Sequence, residues 1–429
     1  MNKMISRRDF LKLAGAGALT VAGVSVLPQF LRRTLAVEQV AQAAGAPSLY
    51  FAGTDGWISL PSTRAIPPYF PDDLAPPPFN SYIFGFRNVT GMSDIQRAGQ
   101  KNKAQHNAPL FWVDQFNGSN EFSLQLTNLG LAQRPDLTDS HTLHWHGFRN
   151  VIPFFDGEPT GSISVPVGRN FTYIFRPRDP GTYMYHCHVE DVEHVHMGMT
   201  GLVFVKALQN GQNIGGFTQF AYNDGDGSTG YHREFAMFLS EFWAEAHWAD
   251  SHIQLPDWTD YKPDFSMLNG RVYPDTLAPN GSIDPFNSVY DTNGDLIAPA
   301  GRPDLQYQPL SALVNCNAGE SVLLRFANLG FREASMSLTG IKMRVVGRDA
   351  TPMKGRDGTD TSYETDTILI GAGESFDVIF TAPAHSGPGY DVYELYNRAY
   401  NRSDGDAGQR TEIRVYSAGT LPPQQIPNQ

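Results

Sequence analysis

Beyond residue 44 the chain alternates short apolar runs with Gly, Pro, Asn and Asp. Runs of this length, rich in aromatic and β-branched residues and bounded by turn formers, read as strands. Tyr82 to Phe86, Phe111 to Val113, Phe122 to Leu126, Phe171 to Phe175 and Leu202 to Val205 are such predicted strands. No long amphipathic helical period interrupts them, so the fold class is all-β.

The pattern also repeats. Asn117 to Gly130 is echoed 200 residues on by Asn317 to Gly330, each ending in Asn-Leu-Gly, and Gly168 to Pro177 is echoed by Gly373 to Pro383. Self-similarity of this kind predicts two related β-sandwiches, residues 44–215 and 230–420, with a boundary near Gly211 to Gly230. Between Leu239 and Gln308 lies a long stretch rich in Pro, Asp and Asn. A connection that long inside a compact domain is expected to cover a site or an interface.

Composition narrows the function classes. With 41% hydrophobic residues over 429 positions the chain is globular, and a formal charge of −12 offers no electrostatic basis for nucleic-acid binding. Two cysteines allow at most one internal disulfide and exclude a four-cysteine zinc site. Residues 1–43 stand apart. Ser6-Arg7-Arg8-Asp9-Phe10-Leu11-Lys12 precedes a weakly apolar stretch from Leu13 to Leu27, closed by Arg32-Arg33 and followed by Ala41-Gln42-Ala43. This resembles a twin-arginine export signal, which implies a periplasmic or extracytoplasmic location and a cofactor inserted before export. Removing its six basic and two acidic residues takes the formal charge to −16.

The chemistry is concentrated in histidine, since 7 of the 12 fall in two windows. These are His141-Thr142-Leu143-His144-Trp145-His146-Gly147 and the run from His186-Cys187-His188 to His194, His196, Met197 and Met199. On a strand, positions two apart share a face. His144 and His146 therefore point together, as do His186 and His188, while Cys187 points the other way. One face offers four imidazoles; the other offers a thiolate with His141, His194 and Met199 within loop reach. A thiolate with two imidazoles and a thioether suits a blue-copper electron-transfer site better than zinc. His196 competes with His194 for its role, and Met197 with Met199.

His-x2-His-x-His-Gly followed by His-Cys-His, then His and Gly-Met, resembles the multicopper oxidase family of laccase-like enzymes. Asp156-Gly157-Glu158-Pro159, Pro166-Val167-Gly168, Gly181-Thr182-Tyr183-Met184-Tyr185 and Leu268-Asn269-Gly270-Arg271 extend the likeness over most of the mature chain. The resemblance implies two cupredoxin-like Greek-key domains. It also implies type 1 copper on His141, Cys187, His194 and Met199, and half of a trinuclear cluster on His144, His146, His186 and His188. Asp156 would help move protons to dioxygen. Electrons from a phenol-like or metal-ion donor would reach that cluster through Cys187 and its covalent neighbours. Two-domain relatives lead to the expectation of a homotrimer.

The sequence departs from the family pattern in two places. The seven residues from Cys187 to His194 exceed the family's common spacing. The second repeat carries Ala334 to Gly340 at the first window and Glu394-Leu395-Tyr396 where His-Cys-His is expected, so four imidazoles stand where the cluster takes twice as many. Half-sites of two subunits meeting, or a partner chain, would complete it. Of the remaining histidines, His247 and His252 lie beside Trp243 and Trp248. Copper nitrite reductases, also two-domain cupredoxin proteins, provide a second reading in which His186 and His146 hold a mononuclear copper. Against it, that family has an acid at the place of His144 and no histidine at that of His188. A non-catalytic carrier with the type 1 copper alone is a third reading, and it leaves the imidazole face without a role. Glu190, Asp191 and Glu193 read either as solvated loop charges or as partners for the ligand imidazoles. Cys316 is expected to be a buried thiol in a strand pair.

Overall fold

The computed structural model describes residues 46–149, 151–287, 290–399 and 408–429. The expected export signal lies outside them. Among the described residues no helix is long and apolar enough to cross a membrane.

Two sheets build the first half. One has the order β2 (Ser81–Asn88), β1 (Leu49–Ile58), β4 (Phe122–Gly130), β6 (Asn170–Phe175); the other has β3 (Phe111–Asp114), β8 (Thr200–Lys206), β7 (Gly181–His186), β5 (His144–His146). Their inner faces share one core that includes Phe51, Phe111, Leu124, Trp145, Tyr173 and Tyr185. The all-β expectation holds, and each of the five predicted strands lies inside an observed one.

The second half reproduces this order and its strand directions. β1 runs parallel to β4 and β4 antiparallel to β6; Arg233–Phe242, Ser321–Asn328 and Ser375–Thr381 do the same. The parallel pair β3 and β8 is matched by Val314–Asn317 and Arg410–Tyr416, and the antiparallel pair β5 and β7 by Ala334–Leu338 and Tyr390–Asn397. The repeated Asn-Leu-Gly has a physical reason. Asn128 Oδ1 accepts the Gly130 N–H at 2.8 Å, and its Nδ2 donates to the carbonyls of Asp139 and Val165. Asn328 Oδ1 accepts the Gly330 N–H at 2.9 Å, and its Nδ2 donates to Arg332 and Ile370. Each buried amide thus ties a strand end to two other segments of its own half through hydrogen-bonded carbonyls.

Cys316 lies buried and free in the parallel pair of Val314–Asn317 with Arg410–Tyr416, and burial pushes its thiol up to about 12. The halves are joined by apolar contact of Leu110, Met184 and Phe204 with Ala236, Phe238 and Ala327. Buried charges also line the joint. Lys206 of the first half pairs with Glu234 of the second, which Arg325 also bonds at 2.8 Å, and Thr182 donates across to Asp377 at 2.5 Å. The long stretch after Leu239 is partly ordered: Ala244–Ser251 is a helix and Phe265–Leu268 a strand. Its Phe242, Phe265 and Met267 pack on Ile58, Leu60 and Ile83, covering the β1–β2 edge of the first sandwich.

Candidate metal centre

The two windows come together through the pairing of β5 with β7, where His144 stands opposite His186 and His146 opposite Met184. Alternation along β5 sends Trp145 into the core, stacked on Phe175 at 4.1 Å, and leaves His144 and His146 on the outer face. Beyond the end of β7, Cys187 turns inward.

The inward set is dry. His141, Cys187, His194 and Met199 are each 0% exposed. One ligand atom each from His141, Cys187 and His194 lies within 4.8 Å of the others, and Cys187 Sγ is 3.3 Å from His194 Nδ1. Both ring nitrogens of His141 are buried without a hydrogen-bond partner. Met199 closes the set: a Cβ built on Gly53 of β1 would meet His141 Cδ2 at 2.7 Å and Met199 Cε at 3.4 Å, so glycine is needed there. The seven-residue spacing from Cys187 to His194 is taken up by a helix, α1 (Asp191–Met197), which turns His194 toward the thiol. It also resolves the two competitors. His196 Nε2 accepts the Trp243 N–H at 3.1 Å, and Met197 belongs to the apolar core.

Electrostatics hold Cys187 as the thiolate a metal binds, paired with a charged His194 that must give up its proton to a metal. Burial pushes the Cys187 thiol up, but His194 and His141 beside it reverse the effect and hold it well below the ordinary thiol range. For His194 burial works against the charge, yet the Cys187 thiolate and Asp139 raise it to about 10. The carboxylate serving His194 is Asp139, whose Oδ2 is 3.7 Å from Nε2. Of the loop acids, one comes near and two do not. Glu190 has an oxygen within the 4.8 Å group of Asp139 and His194, but Asp191 Oδ1 accepts its neighbour's Val192 N–H and Glu193 turns to Asp250. Asp139 sits two residues before His141, a position where the sequence carries no distinguishing signal.

The outer set is more open. Ring centroids lie 5.2 Å apart for His144 and His186, 5.1 Å for His144 and His188, and 5.5 Å for His186 and His188. His144, His146 and His186 bring ligand atoms within 4.8 Å of one another. His144 Nδ1 donates to the Asp156 carbonyl at 2.7 Å and lies 3.4 Å from its carboxylate; His186 Nδ1 donates to the Cys187 carbonyl at 2.8 Å. Each bond fixes the tautomer and leaves Nε2 bare for a metal. Burial pushes His186 down to about 3, so it stands as a neutral ligand. The second sandwich reaches this set at Gly373, where a Cβ would lie 3.0 Å from His146 Nε2.

The remaining histidines take no part. His247 Nδ1 bonds the Tyr82 carbonyl, His252 pairs with Asp73, His385 pairs with Asp391, His232 Nδ1 accepts the Ser321 N–H, and His106 is buried apart. In the second repeat one alignment needs correction. Leu395 pairs with Leu338 as Tyr185 pairs with Trp145, so Tyr396-Asn397-Arg398, and not Glu394-Leu395-Tyr396, stands at the place of His-Cys-His. Thr142 N–H points at Cys187 Sγ at 3.4 Å; Ser335 N–H points at Asn397 Oδ1 at 2.8 Å.

A buried thiolate with two imidazoles and a thioether, in a strand-built sandwich, defines a cupredoxin-type copper protein. Profiles described as multicopper oxidase match residues 127–210 and 234–419. The chain belongs to the multicopper oxidase family, whose cofactor is copper, and the donor sets above fit that metal. It is 25% identical to multicopper oxidase MmcO of Mycobacterium tuberculosis, over 57% of this chain and 42% of that protein. It is also 25% identical to Laccase-5 of Arabidopsis thaliana, over 65% of this chain and 40% of that one. The chain thus spans about two-fifths of the length of these relatives. The fold matches the blue copper oxidase of Nitrosomonas europaea (TM-score 0.55, 20% identity, 85% of each chain). It also matches the copper nitrite reductase of that organism (TM-score 0.52, 15% identity, 87% of this chain and 95% of that one).

Proposed function

We propose that the chain is an exported copper oxidase that takes single electrons from a phenol-like or metal-ion donor at the Cys187 set and passes them to dioxygen at the imidazole set. The observation that carries this is the junction itself. One dry thiolate set and one outward imidazole set are joined through the covalent bonds of His186-Cys187-His188. When bound, copper supplies one-electron exchange at the first set and dioxygen reduction at the second. The residues supply the rest. Cys187 gives a bonded path to His186 and His188, Asp139 and the Asp156 carbonyl hold His194 and His144 in register, and the Asp156 carboxylate delivers protons beside His144. Separation of the sets lets donor and dioxygen react in different places.

The twin-arginine-like segment supports export, with the protein in the periplasm or on the outer face of the membrane. Four imidazoles per chain leave half of a trinuclear cluster to be supplied by another chain, and analogy with two-domain relatives makes the expected assembly a homotrimer. His188→Ala tests the reading: oxygen consumption is lost while the blue colour stays, and unchanged turnover contradicts it. The convergence of His144, His146 and His186 favours one alternative, a mononuclear second copper of the nitrite reductase kind. Nitrite turnover with a mononuclear second spin signal would select it.

A further inference from the structure

No ligand atom of the Cys187 set reaches the surface, so electrons must cross protein to enter it. Helix α1 carries, two residues past His194, the ring of His196. It lies 5.5 Å from Trp258, 5.3 Å from Tyr261 and 5.6 Å from Phe331. Trp243, 3% exposed, completes the group at 5.7 Å from Trp258 and 5.8 Å from Tyr261, and Phe331 is 39% exposed at the other end. An aromatic group therefore runs from the surface to the helix that carries His194.

Packing explains the rings but not the polar arrangement at their centre. The Tyr261 hydroxyl donates at 2.6 Å to Glu241 Oε2, a carboxylate 6% exposed and held by the N–H groups of Phe331 and Arg332 at 2.9 and 3.0 Å. The first repeat has a like clamp, in which Asp55 accepts the Ala132 and Gln133 N–H groups and the Tyr82 hydroxyl. There the tyrosine is sealed at 0% exposure; Tyr261 instead is half-buried and packs on His196. A phenol with a proton acceptor already in place gives up an electron as a neutral radical, which is easier than leaving a protonated one.

We propose that Trp258, Tyr261 and His196 form a redox relay that carries electrons from a surface donor to the Cys187 site. The proposal rests on the oxidase reading above. One electron leaves Tyr261 toward the oxidised copper site, its O–H bond breaks, and the proton passes to Glu241. The external donor then returns one electron to the tyrosyl radical, directly or through Trp258, and Glu241 returns the proton. The net change is one electron from donor to site.

The test begins with metal-free protein. Azide radicals, as the one-electron oxidant, are pulsed in, and the radicals formed are followed by rapid freezing and spin resonance. Indolyl radicals are expected to give way to tyrosyl radical, the tyrosyl yield to fall several-fold in Tyr261→Phe, and its rate of formation to fall in Glu241→Gln, with Tyr69→Phe like the parent. Equal yield in Tyr261→Phe and parent overturns the relay. In copper-loaded protein, Tyr261→Phe is expected to slow reduction of the blue absorption by donor about tenfold with its spectrum unchanged, about 1.4 kcal/mol of barrier. An unchanged rate also overturns it. Because the radical arm needs no copper, failure of the oxidase reading and failure of the relay are separately visible.

Discussion

The two repeats end the same strand pair differently, and the difference marks where function resides. In the first, the Thr142 N–H meets the Cys187 thiol; in the second, the Ser335 N–H meets the Asn397 amide oxygen. Asn397 also bonds Gln409 at 2.8 Å, so the second copy closes with neutral hydrogen bonds where the first closes on a buried thiol beside two imidazoles. The backbone is common to both; the chemistry comes from what one side chain offers. The second copy is thus free to serve as support, through Gly373 against His146 and the buried charges at the joint.

The sharpest way to break the comparison is Cys187→Ser. It is expected to abolish the blue absorption and donor oxidation, whereas Asn397→Asp keeps both; spectra and oxygen uptake on the two variants check this. The copies also differ in buried imidazoles. His106, near the first sandwich, has both ring nitrogens unpaired and is pushed by burial down to about 4, while in the second half the buried His247 keeps a bond to the Tyr82 carbonyl, His232 is exposed and His385 half-buried. The unfolded chain binds a proton at His106 below its ordinary value near 6.5 and the folded chain does not. Stability is therefore full above that pH and is lost as pH falls toward 4, by on the order of 3 kcal/mol from this residue. Urea unfolding of metal-free parent and His106→Leu at the two ends of that window measures it as the difference between their slopes, since other buried imidazoles add to both.

Where the copies agree, mutations should agree. Asn128→Ala and Asn328→Ala each leave buried backbone groups unpaired and should each cost about 1–3 kcal/mol. Thermal unfolding of both variants compares them, and a large inequality would mean the shared device is not shared energetically. The smallest effect is expected at Asp139→Asn, which loosens the partner of His194: about tenfold weaker copper retention, read by chelator competition, with the ligand set intact.

Much of this was legible in the chain. Alternation and turn residues located the strands, and the Asn-Leu-Gly repeat is visible because half of its clamp is local, the Asn oxygen accepting the Gly N–H two residues on. Period-two spacing placed His144 with His146 on the outer face. What escaped depends on contacts distant in sequence. Asp139 is one aspartate among many until the fold brings it to His194. The two-residue misplacement in the second copy arose because no ligand there anchors the alignment, and only pairing with Ala334–Leu338 fixes it. The segment after Leu239 lacks a clear period because Phe242, Phe265 and Met267 answer to the edge of another sheet.

Copper content of purified protein, taken together with its spin-resonance spectrum, bears most directly on the claim that one chain joins an electron-entry site to an oxygen-reducing one. The account predicts more than one copper per chain, a type 1 signal, and a second copper population that is lost in His188→Ala. A single copper per chain with only the type 1 signal would contradict it.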